Sequence, residues 1–311
     1  MIKLDGSRFF FDIEGVFSGL CGSVREKNAA LPGDPKAAAL RQGFSRFFQT
    51  VPENVRVAES FEKLLFPLLD GKPVVIPAAD ESADHFSAAF PGKNFLLADK
   101  PADLKIRPAA LAEFVAENGA DALYLTNPCC PTSLELSAAE VETLISGTKA
   151  LVIVDESHMV GEENSAVSLT KRYENLVVLK KMRFGGEGVF AVGQNLPDIP
   201  CELSAADQAA GTVIFERDSA LKTALRKLTD SRDSLYIRVK KLAIKYDSVE
   251  RLYRTKADHV FFKVKDAERR AETLSEKGIL IRQTEGGFCI FSGDKPENEA
   301  VLAALEEVLQ S

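Results

Sequence analysis

The sequence of 311 residues is poor in several features, and each scarcity argues against a class of protein. No apolar run reaches about eighteen residues, the length of a membrane-spanning helix, so no membrane protein is expected. Charges of both signs are interspersed and sum to −7, which does not give the basic patch that nucleic-acid binding needs. The five cysteines are odd in number and scattered apart from Cys129 and Cys130, so we expect no disulfide framework. The prediction is a soluble protein of a reducing compartment, the cytoplasm.

Two kinds of segment alternate through the first two thirds of the sequence. Apolar, β-branched runs such as 122–126 and 176–179 predict buried parallel strands. Helical patterns such as 35–48 lie between them, and Ser137 followed by Glu140 predicts a capping box at a helix start. The alternation predicts an α/β domain with a mainly parallel sheet. The other predicted strands are 73–77, 151–154 and 188–192, and the other predicted helices are 59–69, 108–118 and 137–145.

The tail of the sequence has a different order of segments. Residues 204–253 predict helices, and the segment from 259 onward predicts a strand, a helix, two strands and a last helix, which is typical of an α+β domain. The predicted domains are a large α/β domain at 30–203, a helical connector at 204–229, and a small α+β domain formed by 1–29 and 230–311. In open parallel sheets, ligands bind at the carboxyl ends of the strands, so the residues that follow each strand are the site candidates.

Four motifs follow one another along the chain. They are ALRQGFSRFFQTVPENV (39–55), LTNPCCPT (125–132), VDES followed by His158, and a C-terminal part with EKGILIR (276–282) and SGDKPENEAVLAAL (292–305). In this order they resemble the fold-type I pyridoxal-phosphate-dependent aminotransferases. The resemblance is to the branch that holds histidinol-phosphate aminotransferase and threonine-phosphate decarboxylase, whose LTNPCCPT counterpart reads Asn-Pro-x-Asn-Pro-Thr. It covers nearly the whole chain.

The resemblance implies a homodimer of the fold-type I architecture, with a large domain built on a seven-stranded-type sheet, a small α+β domain, pyridoxal phosphate as cofactor and a small-molecule substrate. It implies that Asp155 pairs with the pyridine nitrogen of the cofactor. His158 stands where the family has the tyrosine that binds the phenolic oxygen, and Cys130 stands where the family has an asparagine that contacts the same oxygen. The other two histidines, His85 and His259, stand alone in the sequence, and we interpret each as structural.

The lysine that forms the Schiff base in the family has no counterpart at its expected position. The segment KKMRFGGEGVFAVG (180–193) places Phe184 or Arg183 there, depending on the register, so Arg183 is a candidate cofactor contact. Lys181 is about three residues early, which is roughly 10 Å along an extended strand. Without an amine nucleophile at the right place, ordinary transamination is not expected.

Other positions also lack the residues with which the family binds its cofactor and substrate. Glu59 in AESFE (58–62) puts a negative charge where the phosphate would bind, and Leu31 replaces a tyrosine that reaches the partner subunit. Cys289 replaces the arginine that clamps the substrate carboxylate, and a thiol cannot supply that two-pronged contact. The positions that build the fold are kept, whereas those that bind phosphate, carboxylate and aldehyde are nearly all replaced. We therefore predict an aminotransferase-like protein that is catalytically impaired or non-catalytic.

Two alternatives stay open. The first is an active pyridoxal-phosphate aminotransferase that acts on an amino acid or an amino-acid phosphate through a displaced lysine, Lys180 or Lys181. The second is a metal or thiol site in the same pocket, although the spacing of its residues is not a metal motif and we predict no metal. The residues of this second alternative are Cys130, Asp155, His158 and Cys289.

Overall fold

The computed structural model describes residues 1–6, 31–90, 92–93, 95–181 and 188–310. Within these residues the strands form two sheets, one of seven strands and one of five. The strands are β1 (Ile2–Leu4), β2 (Val55–Ala58), β3 (Val74–Pro77), β4 (Phe95–Ala98), β5 (Ala122–Thr126), β6 (Leu151–Asp155), β7 (Leu176–Lys181), β8 (Val189–Val192), β9 (Val249–Leu252), β10 (His259–Val264), β11 (Ile279–Thr284) and β12 (Gly287–Phe291). The helices are α1 (Ala38–Phe47), α2 (Phe61–Leu69), α3 (Ser82–Ala89), α4 (Pro108–Glu117), α5 (Ala138–Ser146), α6 (Ala205–Glu216), α7 (Asp218–Lys245), α8 (Ala267–Glu276) and α9 (Lys295–Gln310).

The seven-stranded sheet has the order β2-β8-β7-β6-β5-β3-β4 and is mostly parallel, which confirms the predicted α/β fold class. One strand departs from the prediction, because β8 runs antiparallel to both of its neighbours. The physical reason is the short connection from β7 to β8, residues 182–188. A parallel partner needs a crossover of a dozen or more residues, whereas an antiparallel partner does not.

The central strands are buried on both faces, which explains why their sequences are apolar throughout. Leu123 and Leu125 of β5 pack into the core on one face of the sheet, and Tyr124 packs into the core on the other face. The helix α5 begins as predicted: Ser137 and Glu140 form the reciprocal hydrogen bonds of a capping box. The sequence patterns did not reveal β2 and β4, which lie at the two edges of the sheet.

The five-stranded sheet has the order β1-β11-β12-β10-β9 and is antiparallel except for the β1–β11 pair. The helix α7 reaches both parts of the molecule: Leu221 and Ala224 pack into a core of the large sheet, and Leu235 and Val239 pack into the core of the small one. It ends at Lys245 and is followed by β9, so the predicted helical region 204–253 is shorter than expected. The domain boundaries stay a prediction. Of the described helices, none combines the length and the apolar character that a membrane crossing requires.

Candidate functional site

A cavity of about 270 Å³ opens at the carboxyl ends of β5 and β6. Thr126 ends β5 and Asp155 ends β6, and the two residues are paired across the strands. The small sheet supplies the facing wall, which includes Arg282 of β11 and Phe291 of β12. The cavity therefore lies at the sheet edge where ligands bind in open parallel sheets.

The structure brings together four of the residues that the sequence singled out. Asp155, His158, Cys130 and Lys181 all line the cavity. Cys289 does not line the cavity; it is fully buried in a small apolar cluster close to Cys130. Arg183 and the rest of its loop lie outside the described residues.

The carboxylate of Asp155 accepts hydrogen bonds from the protein itself on both oxygens. The Tyr124 hydroxyl donates to Oδ2 at 2.5 Å, and the backbone N–H of Ser157 donates to Oδ1 at 2.8 Å. Tyr124 is buried and packs on the Phe86 ring with a centroid distance of 4.3 Å. Burial and the adjacent Asp155 charge raise the pKa of the Tyr124 hydroxyl well above its ordinary value, so it stays a proton donor. Sequence reasoning passed over Tyr124, which looked like part of an apolar strand.

The thiol of Cys130 is held in its neutral form. Cys130 is buried, and its Sγ lies 3.4 Å from the Glu81 carboxylate. Burial, together with the nearby Cys289 and Glu81, raises the pKa of this thiol well above its ordinary value. Because the thiolate is the nucleophile and the metal ligand, Cys130 is poorly suited to either role.

An arginine reaches the cavity from an unexpected strand. Arg282 of β11 is paired across the strands with Cys289, the residue that replaces the carboxylate-binding arginine of the family. Its guanidinium forms an ion pair with Glu81, and its side chain remains 37% exposed. The sequence motif EKGILIR contains this arginine, but it looked like part of the scaffold. The β11–β12 pairing is what places Arg282 at the cavity.

Two histidines meet at one aspartate beside the cavity. The Nδ1 atom of His158 lies 3.1 Å from Asp258 Oδ1, and the Nδ1 atom of His259 lies 3.0 Å from the same oxygen. The Nε2 atom of His259 lies 3.0 Å from the backbone carbonyl oxygen of Pro131. His259 and Asp258 are fully buried, and His158 is partly exposed in the cavity wall. His259 stands alone in the sequence, but the start of strand β10 places it next to His158 in the fold. Its structural role stays a prediction.

The two candidate lysines point to opposite sides of β7, as successive residues of a strand do. Lys181 lines the cavity. Lys180 is buried, and its Nζ atom lies 2.7 Å from both the Glu156 and the Glu162 carboxylates. The same amine sits 4.9 Å from the centre of the Phe48 ring. Lys180 is thus engaged in an ion cluster away from the cavity, and Lys181 is the cavity amine.

The start of α2 also borders the cavity, through Phe61. Ser60 caps the helix, and the neighbouring Glu59 forms an ion pair with Lys63 at 2.8 Å. Glu62 in the first turn lies 3.0 Å from His85 Nε2. Carboxylates here interact favourably with the positive end of the helix dipole. Two carboxylates, each paired with a basic side chain, therefore flank the position that an anion would take at this helix N-terminus.

Histidinol-phosphate aminotransferases are similar to this chain in sequence. No protein-family profile matches the chain. A histidinol-phosphate aminotransferase from Caldanaerobacter subterraneus subsp. tengcongensis is 23% identical over 331 aligned positions, covering 99% of this chain and 93% of the relative.

Two solved structures have the same fold. The histidinol-phosphate aminotransferase from Clostridium acetobutylicum superposes with a TM-score of 0.83 at 14% identity, over 100% of this chain and 99% of that one. The Sinorhizobium meliloti enzyme of the same name, in complex with pyridoxal-5'-phosphate, has a TM-score of 0.82 at 16% identity, over 99% of this chain and 90% of that one. The chain is a homologue of the pyridoxal-phosphate-dependent aminotransferases with their fold-type I architecture.

Proposed function

We propose that this aminotransferase homologue does not carry out ordinary transamination and instead binds a small zwitterionic molecule of the amino-acid class in its cavity. The observation that carries the proposal is the state of Asp155. Each oxygen of this carboxylate already accepts one hydrogen bond, from Tyr124 or Ser157, so a cofactor ring nitrogen would share the carboxylate with two protein donors.

The residues around the cavity do not fit pyridoxal phosphate. Glu59 and Glu62 flank the helix start where a phosphate would bind, and each already pairs with a basic side chain that could otherwise bind an anion. The segment that follows Lys181, residues 182–188, contains no lysine. These departures support a member of the family that has lost the standard chemistry.

The charges of the cavity suit a small molecule that carries both signs. Lys181 and Arg282 can bind a carboxylate, whereas Glu81 and Asp155 can accept hydrogen bonds from an ammonium group. A volume of about 270 Å³ is close to the lower end of the range of small-ligand sites. By homology we also propose a homodimer, and location in the cytoplasm stays a prediction.

One specific observation favours a second candidate function. Lys181 lines the same cavity as Asp155, so an active aminotransferase that uses this displaced amine is the competing proposal. The two functions differ in whether Lys181 becomes covalently attached to pyridoxal phosphate.

The test is to incubate the protein with pyridoxal phosphate, reduce it with borohydride, and search for a covalent adduct by absorbance and peptide mass spectrometry. The first proposal predicts no visible aldimine band and no stoichiometric adduct in the wild type. The Sinorhizobium meliloti protein, whose structure contains the cofactor, is the positive control. An adduct on Lys181 that disappears in Lys181→Met would establish the competing function instead.

Calorimetry with a panel of amino acids tests the binding role itself. Arg282→Met should weaken binding at least tenfold if the guanidinium holds the carboxylate, since hydrogen bonds to charged groups contribute about 1.5–3 kcal/mol. Arg107→Met is a suitable control, because Arg107 pairs with Asp103 at a distant exposed site. Failure of every amino acid to bind would refute the zwitterion proposal.

A further inference from the structure

Three ligand-type atoms of His158, Asp258 and His259 converge in the described part of the chain. The two Nδ1 atoms lie 3.1 and 3.0 Å from Asp258 Oδ1, and all three atoms lie within 4.8 Å of one another. Ligand atoms at about 2.0–2.1 Å from a tetrahedral zinc ion are roughly 3.3 Å apart. Both imidazole nitrogens are therefore about as far from Asp258 Oδ1 as two ligands of one zinc ion are from each other.

The hydrogen-bond partners of His259 add a second observation. Its Nε2 atom faces the Pro131 carbonyl oxygen, which only accepts, so Nε2 carries a hydrogen. In a neutral ring Nδ1 then presents its lone pair, and this lone pair faces the Asp258 carboxylate. Two electron-rich groups at 3.0 Å need a cation between them, either a proton or a metal ion.

We propose that His158, Asp258 and His259 bind a divalent transition metal of the zinc type. Imidazole nitrogens and a carboxylate oxygen are ligands that zinc accepts, and three protein ligands leave a coordination position open. The contact from His259 Nε2–H to a backbone carbonyl is the kind of outer hydrogen bond that orients a metal-binding histidine. Because His158 lies in the cavity wall, water or a ligand completes the coordination from that side.

The surroundings fix the two rings in place. The Phe291 ring packs against His259 with a centroid distance of 5.0 Å and against His158 at 6.0 Å. The two imidazole rings are perpendicular, with centroids 5.5 Å apart. This ligand set differs from the one that the sequence offered, because it replaces Cys130, Cys289 and Asp155 with Asp258 and His259. The neutral Cys130 thiol and the protein-bonded Asp155 carboxylate are the weaker ligands.

The experiment uses tag-free full-length protein that has been stripped with a chelator and titrated with Co²⁺ as a spectroscopic probe and with Zn²⁺ in competition. We expect one metal ion per chain and visible d–d bands without a sulfur-to-cobalt charge-transfer band. His158→Asn should weaken binding at least about a hundredfold, since losing a ligand costs more than losing an outer partner, which costs 10–100-fold. Asp258→Asn should act in the same direction, with folding verified by circular dichroism.

The chain offers a matched control because it contains three histidines. His85 lines the same cavity but contacts Glu62, so His85→Asn should bind the metal like the wild type. Cys130→Ser should also keep the site. If the wild-type protein binds no more metal than His158→Asn does, the three side chains are bridged only by protons. This result would overturn the proposal. Loss of binding in His85→Asn or Cys130→Ser would overturn the assigned ligands. None of these outcomes depends on whether pyridoxal phosphate or an amino acid binds.

Discussion

Two largely buried polar clusters are found near the ends of β6 and β7, and they differ in whether their atoms can still bind a ligand. In one, the Lys180 ammonium is paired with Glu156 and Glu162. Glu156 also accepts hydrogen bonds from the Ser165 hydroxyl at 2.7 Å and the Ala166 N–H at 2.6 Å. In the other, Asp258 faces the nitrogens of His158 and His259.

The difference between the clusters comes from the side-chain chemistry. A lysine ammonium has donors and no acceptor, so the lysine cluster is complete with the protein's own atoms. A histidine nitrogen carries either a hydrogen or a lone pair, so the histidine cluster can exchange a proton for a metal ion. Both clusters are largely buried and ion-paired, but only the histidine cluster has nitrogen lone pairs that can bind a metal ion. The lysine cluster therefore has a structural role, and its partners keep Lys180 from the chemistry of the cavity.

The largest expected effect comes from removing the lysine of the first cluster. Lys180→Met should lower the free energy of unfolding by about 3–5 kcal/mol, because it leaves the buried Glu156 carboxylate without its counter-charge. Denaturant unfolding measures this loss. Lys181→Met, the neighbouring change on the exposed side of β7, should cost much less. Equal losses in the two variants would contradict the assignment of Lys180 to a structural cluster.

A smaller effect is expected at the Tyr124–Asp155 pair, in which the tyrosine hydroxyl donates a hydrogen bond to a buried carboxylate. Tyr124→Phe should destabilise the fold by about 1–3 kcal/mol, because it removes a donor from a buried carboxylate. Chemical denaturation of the variant is the measurement. The matched control is Tyr173→Phe, which removes a hydroxyl donor from Glu142 near the surface, and its effect should be smaller. If the control loses as much stability, burial is not what makes the Tyr124 pair important.

The smallest effect concerns pH and the buried thiols on the cavity side. Burial raises the pKa of Cys289 well above its ordinary value. The thiol therefore stays protonated in the folded protein at pH values where it ionises in the unfolded chain. Stability from this group is complete below the unfolded thiol pKa of about 8.5 and falls as pH rises above it, by about 1.4 kcal/mol per pH unit. Cys289→Ala should reduce this alkaline slope by that amount.

Ile290→Val, the next residue of β12, is the control for a core change without titration. It should lower stability at every pH and leave the slope unchanged. The free energy of unfolding measured across the alkaline range distinguishes the two variants. An unchanged slope in Cys289→Ala would mean that this thiol ionises equally well in the folded state.

Much of the fold could be predicted from the sequence because its signals are local. The apolar runs of β5 and β6 and the capping box of α5 depend on neighbouring residues, and the structure has them near the predicted places. The edge strands β2 and β4 have short, weak patterns. The antiparallel direction of β8 follows from the shortness of the preceding connection rather than from its own residues.

The candidate site was predicted less completely, because its contacts join distant parts of the chain. Asp155, Cys130 and His158 follow strands of the large sheet, where a ligand site is expected. Asp258 lies one hundred positions after His158, and Arg282 lies 201 positions after Glu81. Only the packing of the small sheet against the large one brings these partners together. Local sequence patterns contain no record of that packing.

The helix α7 also has a consequence for how the molecule unfolds. At 28 residues it extends about 42 Å, and one end belongs to a core of the large sheet while the other belongs to the core of the small one. Melting either core would uncover apolar residues on a helix that the other core still holds. The shared helix thus makes the two cores cooperative, and we expect a single unfolding transition where two separately packed bodies would give two.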